Sequence, residues 1–271
     1  MTNTVEIISK DLKSRHYGAV LFDFDGTLSL LRRNWQGVMI PQMVEALMAT
    51  GSGESEQEIR ELVKEFVTRL TGKQTIYQMI RLAEEVEQRG GSPLDPLDYK
   101  REYLDRLWEK IGGQVEACRN GEVAPEEMVV AGSHELLKRI TAARIPMYLA
   151  SGTDEQYVLD EVAVLKLDSY FGQHVYGALD DYKKFSKAMI IERIIRDMNV
   201  PGEQILGFGD GYVEIEEVKK VGGLAVGVAS NEDEGQGIDH WKRQRLVDAG
   251  ADLIVADYRC LDDLCTTLGW S

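Results

Sequence analysis

The chain has 271 residues, of which 44% are apolar and 28% charged, and a formal net charge of −15. This composition is typical of a globular protein, and no apolar run approaches the roughly 20 residues of a membrane span. The acidic charge disfavours nucleic acid and anionic membranes as partners. Because the first residues lack the basic start and apolar centre of a signal peptide, we expect a soluble, cytoplasmic protein whose three cysteines are reduced and have no catalytic role.

Two aspartates follow an apolar segment near the N-terminus. Residues 20–27 read Val-Leu-Phe-Asp-Phe-Asp-Gly-Thr, which predicts a buried strand with Asp23 and Asp25 at its carboxyl end, where open α/β sheets bind ligands. If the strand continues through Asp25, both carboxylates lie on one face, where a bound cation would relieve their repulsion. The alternative is an ordinary capped turn, because Asp, Gly and Thr are common turn residues.

The apolar pattern then changes twice along the chain. Apolar residues recur at helical spacing in 59–70, 76–83 and 104–111, with breaks at 51–53, 71–73 and 90–93, whereas short apolar strands alternate with helices from about residue 133 onward. We therefore predict an α/β fold: a doubly wound, parallel-sheet (Rossmann-like) core formed by 1–28 and 130–271, with an all-helical cap domain at 29–129. Residues 1–16 could form an extra helix or a disordered lead.

A hydroxyl and a glycine follow the predicted strand 146–150. Thr153 is a candidate N-cap, with Gln156 completing a capping box. Ser151 and Gly152 would then lie at a helix N-terminus, where a hydroxyl and backbone N–H groups can bind a phosphoryl oxygen. Ser151 could equally be a turn hydroxyl.

Lys187 follows Ser186, a good N-cap, and opens a predicted helix over 188–197. A lysine in the first turn interacts unfavourably with the helix dipole, which suggests a role other than helix formation. Lys183 and Lys184 are alternative candidates for that role, and any of these lysines could simply be solvated.

A second acidic pair follows the predicted strand 204–208. Gly209 follows this strand, Asp210 comes next, and Glu214 lies four residues after Asp210 in the first turn of a helix. Carboxylate oxygens are the protein ligands that Mg²⁺ prefers, so Asp210 is a candidate metal ligand. The alternative is a glycine-rich turn before a helix that has an acid in its first turn.

Taken in order, the segments at Asp23-x-Asp25-Gly26-Thr27, Ser151, Lys187 and Asp210 resemble the four motifs of the haloacid dehalogenase superfamily. The helical insert resembles the helical-cap (C1) subgroup, which includes phosphoglycolate phosphatases and β-phosphoglucomutases. The resemblance implies a Mg²⁺-dependent phosphatase. In this chemistry Asp23 attacks phosphorus to form an aspartyl-phosphate, and Asp25 protonates the leaving alcohol and then activates water.

The resemblance also implies the binding residues. The phosphate would be held by Thr27, Ser151, Gly152 and Lys187, and the metal by Asp23, the Asp25 backbone carbonyl, Asp210 and Glu214. Glu214 stands where the family usually has Asp, so it would bind the metal through water or hold Lys187. Lys73, in the loop 71–75 between two amphipathic helices, would bind substrate if this loop faces the aspartates as in helical-cap relatives; otherwise it is a solvated turn residue.

The implied substrate is a small phosphorylated metabolite such as a sugar phosphate, since a cap that closes over the site leaves little room for a protein. A phosphomutase of the β-phosphoglucomutase type shares these motifs and remains an alternative, as does a non-catalytic module that binds phosphorylated ligands. A binding module would have no need for a nucleophile paired with an acid.

Overall fold

The computed structural model describes residues 4–9, 12 and 15–270, which include a seven-stranded sheet. The chain divides into two compact units, Met1–Arg33 with Gln114–Ser271, and Asn34–Gly113. The sheet belongs to the first unit. Its strands are β1 (Glu6–Ile7), β2 (Ala19–Phe22), β3 (Met147–Asp154), β4 (Val175–Ala178), β5 (Ile205–Gly209), β6 (Leu224–Val228) and β7 (Leu253–Val255).

The strand order is β1-β7-β6-β5-β2-β3-β4, and all neighbours are parallel except the antiparallel pair β1 and β7. The central strand β2 is buried on both faces, as expected for a parallel sheet covered by helices. Its neighbours β3 and β5 both come later in the chain, so β2 lies where the direction of winding changes. In doubly wound folds ligands bind at the carboxyl ends of the strands at this point.

The described helices connect these strands and form the second unit. Their bounds are α1 (Gln36–Met48), α2 (Glu56–Leu70), α3 (Thr75–Gln88), α4 (Pro96–Arg119), α5 (Ser133–Ala142), α6 (Glu155–Val164), α7 (Asp168–Phe171), α8 (Lys187–Met198), α9 (Tyr212–Lys220), α10 (His240–Asp248) and α11 (Leu261–Leu268). None of them combines the length and apolar composition needed to cross a bilayer. The unit 34–113 is helical and packs the apolar faces of α1, α2, α3 and most of α4 around buried side chains such as Leu47, Phe66 and Met79.

This architecture confirms the predicted fold class, a doubly wound parallel-sheet core with inserted helices. The compact units divide at 33 and 114, whereas the domain boundaries expected from the sequence, 28 and 130, stay a prediction. The predicted helix after Ser186 is confirmed: the Ser186 hydroxyl accepts from the Met189 N–H at 3.2 Å and α8 begins at Lys187.

Three local expectations were wrong or incomplete. The strand predicted to end at Ala150 continues to Asp154, because its end pairs with Ala178 of β4, a strand that the sequence pattern missed. The N-cap of α6 is therefore Asp154, not Thr153, and no side chain caps that helix. Within 1–16, Glu6–Ile7 form a short strand, which neither alternative for this segment included, and residues 1–3, 10–11 and 13–14 lie outside the described residues.

Candidate active site

Asp23, Lys187 and Glu214 form a buried charged group at the carboxyl end of the sheet. Asp23 follows β2 directly, and its N–H donates to the Phe208 carbonyl of β5 at 2.9 Å. Lys187, the first residue of α8, donates from Nζ to Asp23 Oδ1 at 2.9 Å and to Glu214 Oε2 at 2.7 Å. Three elements that are distant in sequence therefore bring one ammonium between two carboxylates.

Burial and charge act against each other in this group. Burial raises the pKa of Asp23 well above its usual value, the Lys187 charge opposes this, and Glu214 and Asp210 raise the pKa further. For Lys187, burial lowers the pKa, but the Asp23 and Glu214 carboxylates outweigh burial and the net shift is upward. The ammonium therefore stays charged and stabilises an adjacent carboxylate.

Asp25 has different partners. Strand β2 ends at Phe22, so a loop rather than a continued strand places Asp25. Its Oδ2 accepts from the Thr153 hydroxyl at 2.9 Å and from the Ser151 hydroxyl at 3.4 Å. Burial raises the pKa of Asp25, with Arg32 acting in the opposite direction. A carboxyl group with a raised pKa can hold a proton and donate it near neutral pH.

The hydroxyl of Ser151 thus reaches the site from within β3 and not from a helix N-terminus, which corrects the sequence interpretation. The polar residue missed there is Thr153, whose side chain holds Asp25 instead of capping α6. Gly152 lies between them in β3 and is partly exposed.

The loop formed by residues 23–27, which we call the aspartate loop, leaves two polar atoms without partners among the described residues. Asp25 Oδ1 and Thr27 Oγ1 are buried and make no hydrogen bond. Unpaired buried polar groups are costly, so such atoms suggest a ligand or water that the structure does not contain. Gly26 between them has φ +72°, which favours glycine.

Asp23, Asp210 and Glu214 offer one carboxylate oxygen each within 4.8 Å of one another. Gly209 makes this approach possible, since a Cβ on that residue would lie 2.0 Å from Glu214 Cγ. Glu214 Oε1 also accepts from the Gly211 N–H at 2.5 Å. Burial raises the pKa of Asp210 as well. A cluster of hard oxygen donors fits Mg²⁺, which takes a few carboxylates and keeps several waters.

Two further charged residues lie beside this cluster that sequence patterns do not predict, Lys242 and Glu232. Lys242 of α10 donates from Nζ to Asp210 Oδ2 at 2.8 Å and also contacts Glu232. Burial lowers the pKa of Lys242, but the carboxylates of Asp210 and Glu232 outweigh burial and raise it. Neither residue follows a strand directly or belongs to a motif, so no sequence signal would have identified them.

The other candidate lysines lie elsewhere. Lys183 and Lys184 are exposed in a short turn, and Lys184 pairs with Asp181 at 3.0 Å, so Lys187 is the lysine beside Asp23. Lys73 belongs to the unit 34–113, in the loop between α2 and α3, where it is exposed and its Nζ lies 5.9 Å from the centre of the Tyr77 ring.

The parallel sheet and the acidic groups at its carboxyl edge define an α/β protein with its candidate site at the strand ends. A family model described as haloacid dehalogenase-like hydrolase matches residues 17–222, so the chain belongs to that family. No curated protein matches the sequence.

Solved structures share the fold. A predicted phosphoglycolate phosphatase from Haemophilus somnus 129PT is 14% identical with a TM-score of 0.59, covering 93% of this chain and 99% of its own. A putative β-phosphoglucomutase from Thermotoga maritima is 20% identical with a TM-score of 0.53, covering 92% and 98%. CbbY from Rhodobacter sphaeroides, crystallised with phosphate, is 20% identical with a TM-score of 0.57, covering 93% and 99%. At these identities the likeness concerns the fold.

Proposed function

We propose that this protein is a Mg²⁺-dependent phosphatase that hydrolyses a small phosphorylated metabolite through an aspartyl-phosphate on Asp23. The observation that carries the proposal is the different surroundings of the two aspartates. The Lys187 ammonium lies 2.9 Å from Asp23 and opposes the upward shift that burial gives the pKa of this carboxyl group, which favours its charged, nucleophilic form. Asp25 contacts the hydroxyls of Thr153 and Ser151 instead of a lysine, and burial raises its pKa, which suits a proton donor.

In the first step an Asp23 oxygen attacks phosphorus while the bond from phosphorus to the leaving alcohol breaks, and Asp25 gives its proton to the leaving oxygen. In the second step Asp25 takes a proton from a water molecule, which attacks phosphorus and releases Asp23 and inorganic phosphate. Lys187 and the hydroxyls of Ser151 and Thr27 are suited to bind the phosphoryl oxygens. The proton returns to its starting place after each cycle.

Asp23, Asp210 and Glu214 would hold the metal, with the backbone carbonyl of Asp25 as a further ligand. Bound Mg²⁺ would neutralise charge on the phosphoryl oxygens. Glu214 already contacts Lys187 at 2.7 Å, which supports a role in holding that lysine. The substrate class is supported by CbbY, a variant of which was crystallised with xylulose-(1,5)bisphosphate and which is 20% identical to this chain with a TM-score of 0.55.

The test is release of inorganic phosphate from an aryl phosphate and from a panel of phosphorylated metabolites, with Mg²⁺ and with excess chelator. We expect turnover only with metal, and none after Asp23→Asn, because an amide is nearly isosteric with the carboxylate but a poor nucleophile. Asp262→Asn is the matched control, since this aspartate is 96% exposed.

Turnover near the wild-type rate after Asp23→Asn, or in excess chelator, would contradict the proposal. Conversion of a sugar phosphate to its isomer without release of phosphate would indicate a phosphomutase instead. Binding of phosphorylated ligands without any turnover would indicate a non-catalytic module.

A further inference from the structure

Lys242 lies at the centre of a second group of charges beside the proposed metal ligands. Its Nζ is 2.8 Å from Asp210 Oδ2 and also contacts Glu232 Oε1. The three side chains are 13%, 17% and 18% exposed for Lys242, Asp210 and Glu232. An ammonium this far removed from water persists only because both carboxylates compensate for its lost hydration.

Several contacts fix this arrangement. The Asp239 carboxylate accepts from the N–H groups of Trp241 and Lys242 at 2.9 and 3.0 Å. This cap fixes the first turn of α10, which contains Lys242. The Ser230 hydroxyl donates to the Gly26 carbonyl at 2.8 Å and ties the segment before α10 to the aspartate loop.

Gly26 also makes room for the two acids. A Cβ on this residue would lie 2.2 Å from Asp210 Oδ2 and 3.0 Å from Glu232 Oε1. The acids therefore lie directly against the loop that carries Asp23 and Asp25. Lys242 therefore belongs to the candidate site at the strand ends, and its ion pairs differ from those of an exposed surface lysine.

The charges of this site affect a metal and a phosphate in opposite ways. Each carboxylate of the proposed metal cluster already contacts a lysine: Asp23 and Glu214 share Lys187, and Asp210 contacts Lys242. A divalent cation would have to share Asp210 with the ammonium and would be repelled by its charge. An incoming phosphoryl group would be attracted by the same charge.

We propose that Lys242 serves as a built-in cation of this site. It holds Asp210 and Glu232 together before a metal binds, competes with Mg²⁺ for Asp210, and favours binding of the phosphoryl group. Glu232 has the opposite effects: its charge favours binding of Mg²⁺ and disfavours binding of phosphate. This inference rests on the proposed function only in taking the site to bind Mg²⁺ and phosphate. Lys242 acts through Asp210 and is a positioning residue.

The test is isothermal titration calorimetry on the full chain, first with MgCl₂ alone and then with inorganic phosphate at saturating Mg²⁺. Lys242→Met should tighten Mg²⁺ binding about tenfold and weaken phosphate binding by a similar factor, as expected for removal of one charge a few ångströms away. Glu232→Gln should shift both affinities in the reverse direction. Lys220→Met is the control, because this lysine is 61% exposed on α9 and its charge is screened.

The opposite signs separate this role from a structural one. If Lys242 only stabilises the fold, its loss would weaken the binding of both ligands. That result would overturn the proposal, and so would unchanged affinities. If Lys242→Met does not fold, Glu232→Gln still tests the prediction with the sign reversed. If the wild type binds both ligands but the variants do not shift the two affinities in opposite directions, this inference fails and the proposed function stands. If the wild type binds neither ligand, both fail.

Discussion

Helix α2 and the strand-end site place charged side chains in opposite environments. On α2, Arg60 and Glu56 are four residues apart and form a pair at 2.6 Å with side chains 39% and 62% exposed. At the strand ends, Lys187 and its two carboxylate partners are less than 10% exposed and come from three different elements. Water screens the first pair, whereas the second group lost its hydration on folding.

The difference supports the functional role that we propose for the buried charges. Exposed ion pairs contribute little to stability, and replacing a buried ion pair by apolar side chains is often neutral or even stabilising. Folding alone therefore gives no reason to bury Asp23, Lys187 and Glu214 together. A reaction that transfers a charged group does give one, because fixed charges in a site that excludes water stabilise a charged transition state.

The largest effect is expected for Lys187→Met, which would leave Asp23 and Glu214 buried without their shared cation. We expect a loss of at least about a hundredfold in kcat, as for removal of one donor from a charge-stabilising site, and a fall of about 3–5 kcal/mol in the free energy of unfolding. Steady-state kinetics and denaturant unfolding measure these. Lys183→Met, at an exposed lysine of the preceding turn, should change neither quantity. An active, equally stable Lys187→Met protein would remove the contrast between the two regions.

A more selective loss, which depends on the leaving group, is expected for Asp25→Asn. Proton donation by a side chain is worth about 10²–10⁴-fold for a poor leaving group, but nitrophenolate leaves without a proton. Asp25→Asn should therefore retain a burst of nitrophenolate release from nitrophenyl phosphate in stopped-flow measurements, while phosphoenzyme formation from an alkyl phosphate falls steeply. Equal losses with both substrates would show that Asp25 is not the proton donor.

The parts of the site that the sequence predicted are those determined locally. Asp23 and Asp210 follow apolar strands, and carboxyl ends of neighbouring parallel strands meet at one edge of a sheet. The Ser186 hydroxyl caps the first turn of α8, which fixes the start of this helix at Lys187. These features depend on residues within a few positions of each other, and sequence patterns report such relations well.

The features that the sequence did not predict depend on distant partners. The sequence around Thr153 predicts a helix cap, but pairing of β3 with β4 extends the strand and turns the Thr153 hydroxyl to Asp25. Lys242 and Glu232 reach Asp210 only because the segment before α10 lies against the aspartate loop. A charged residue in a polar segment looks the same in sequence whether it is solvated or buried in a site.

Lys73 tests whether a charge in the unit 34–113 contributes to substrate selection. It is exposed in the loop between α2 and α3. Our prediction is that Lys73→Ala lowers kcat/KM about tenfold for the best metabolite of the panel, because remote binding energy is used only by substrates that reach the contact, and leaves a small aryl phosphate unaffected. Lys64→Ala, at an exposed position of α2, is the control. Equal effects on both substrates, or none, would make Lys73 a solvated loop residue.

The smallest effect is expected for the exposed pair on α2. Glu56 lies in the first turn of the helix, where an acid also interacts favourably with the dipole, and Arg60→Ala places a better helix former at an exposed position. Single substitutions therefore mix several contributions, and a double-mutant cycle with Glu56→Ala and Arg60→Ala isolates the pair. We expect a coupling of about 0.3–0.5 kcal/mol in denaturant unfolding, decreasing with added salt. A coupling of several kcal/mol that persists in high salt would mean that exposure does not distinguish the two regions, and burial of Lys187 would then no longer point to function.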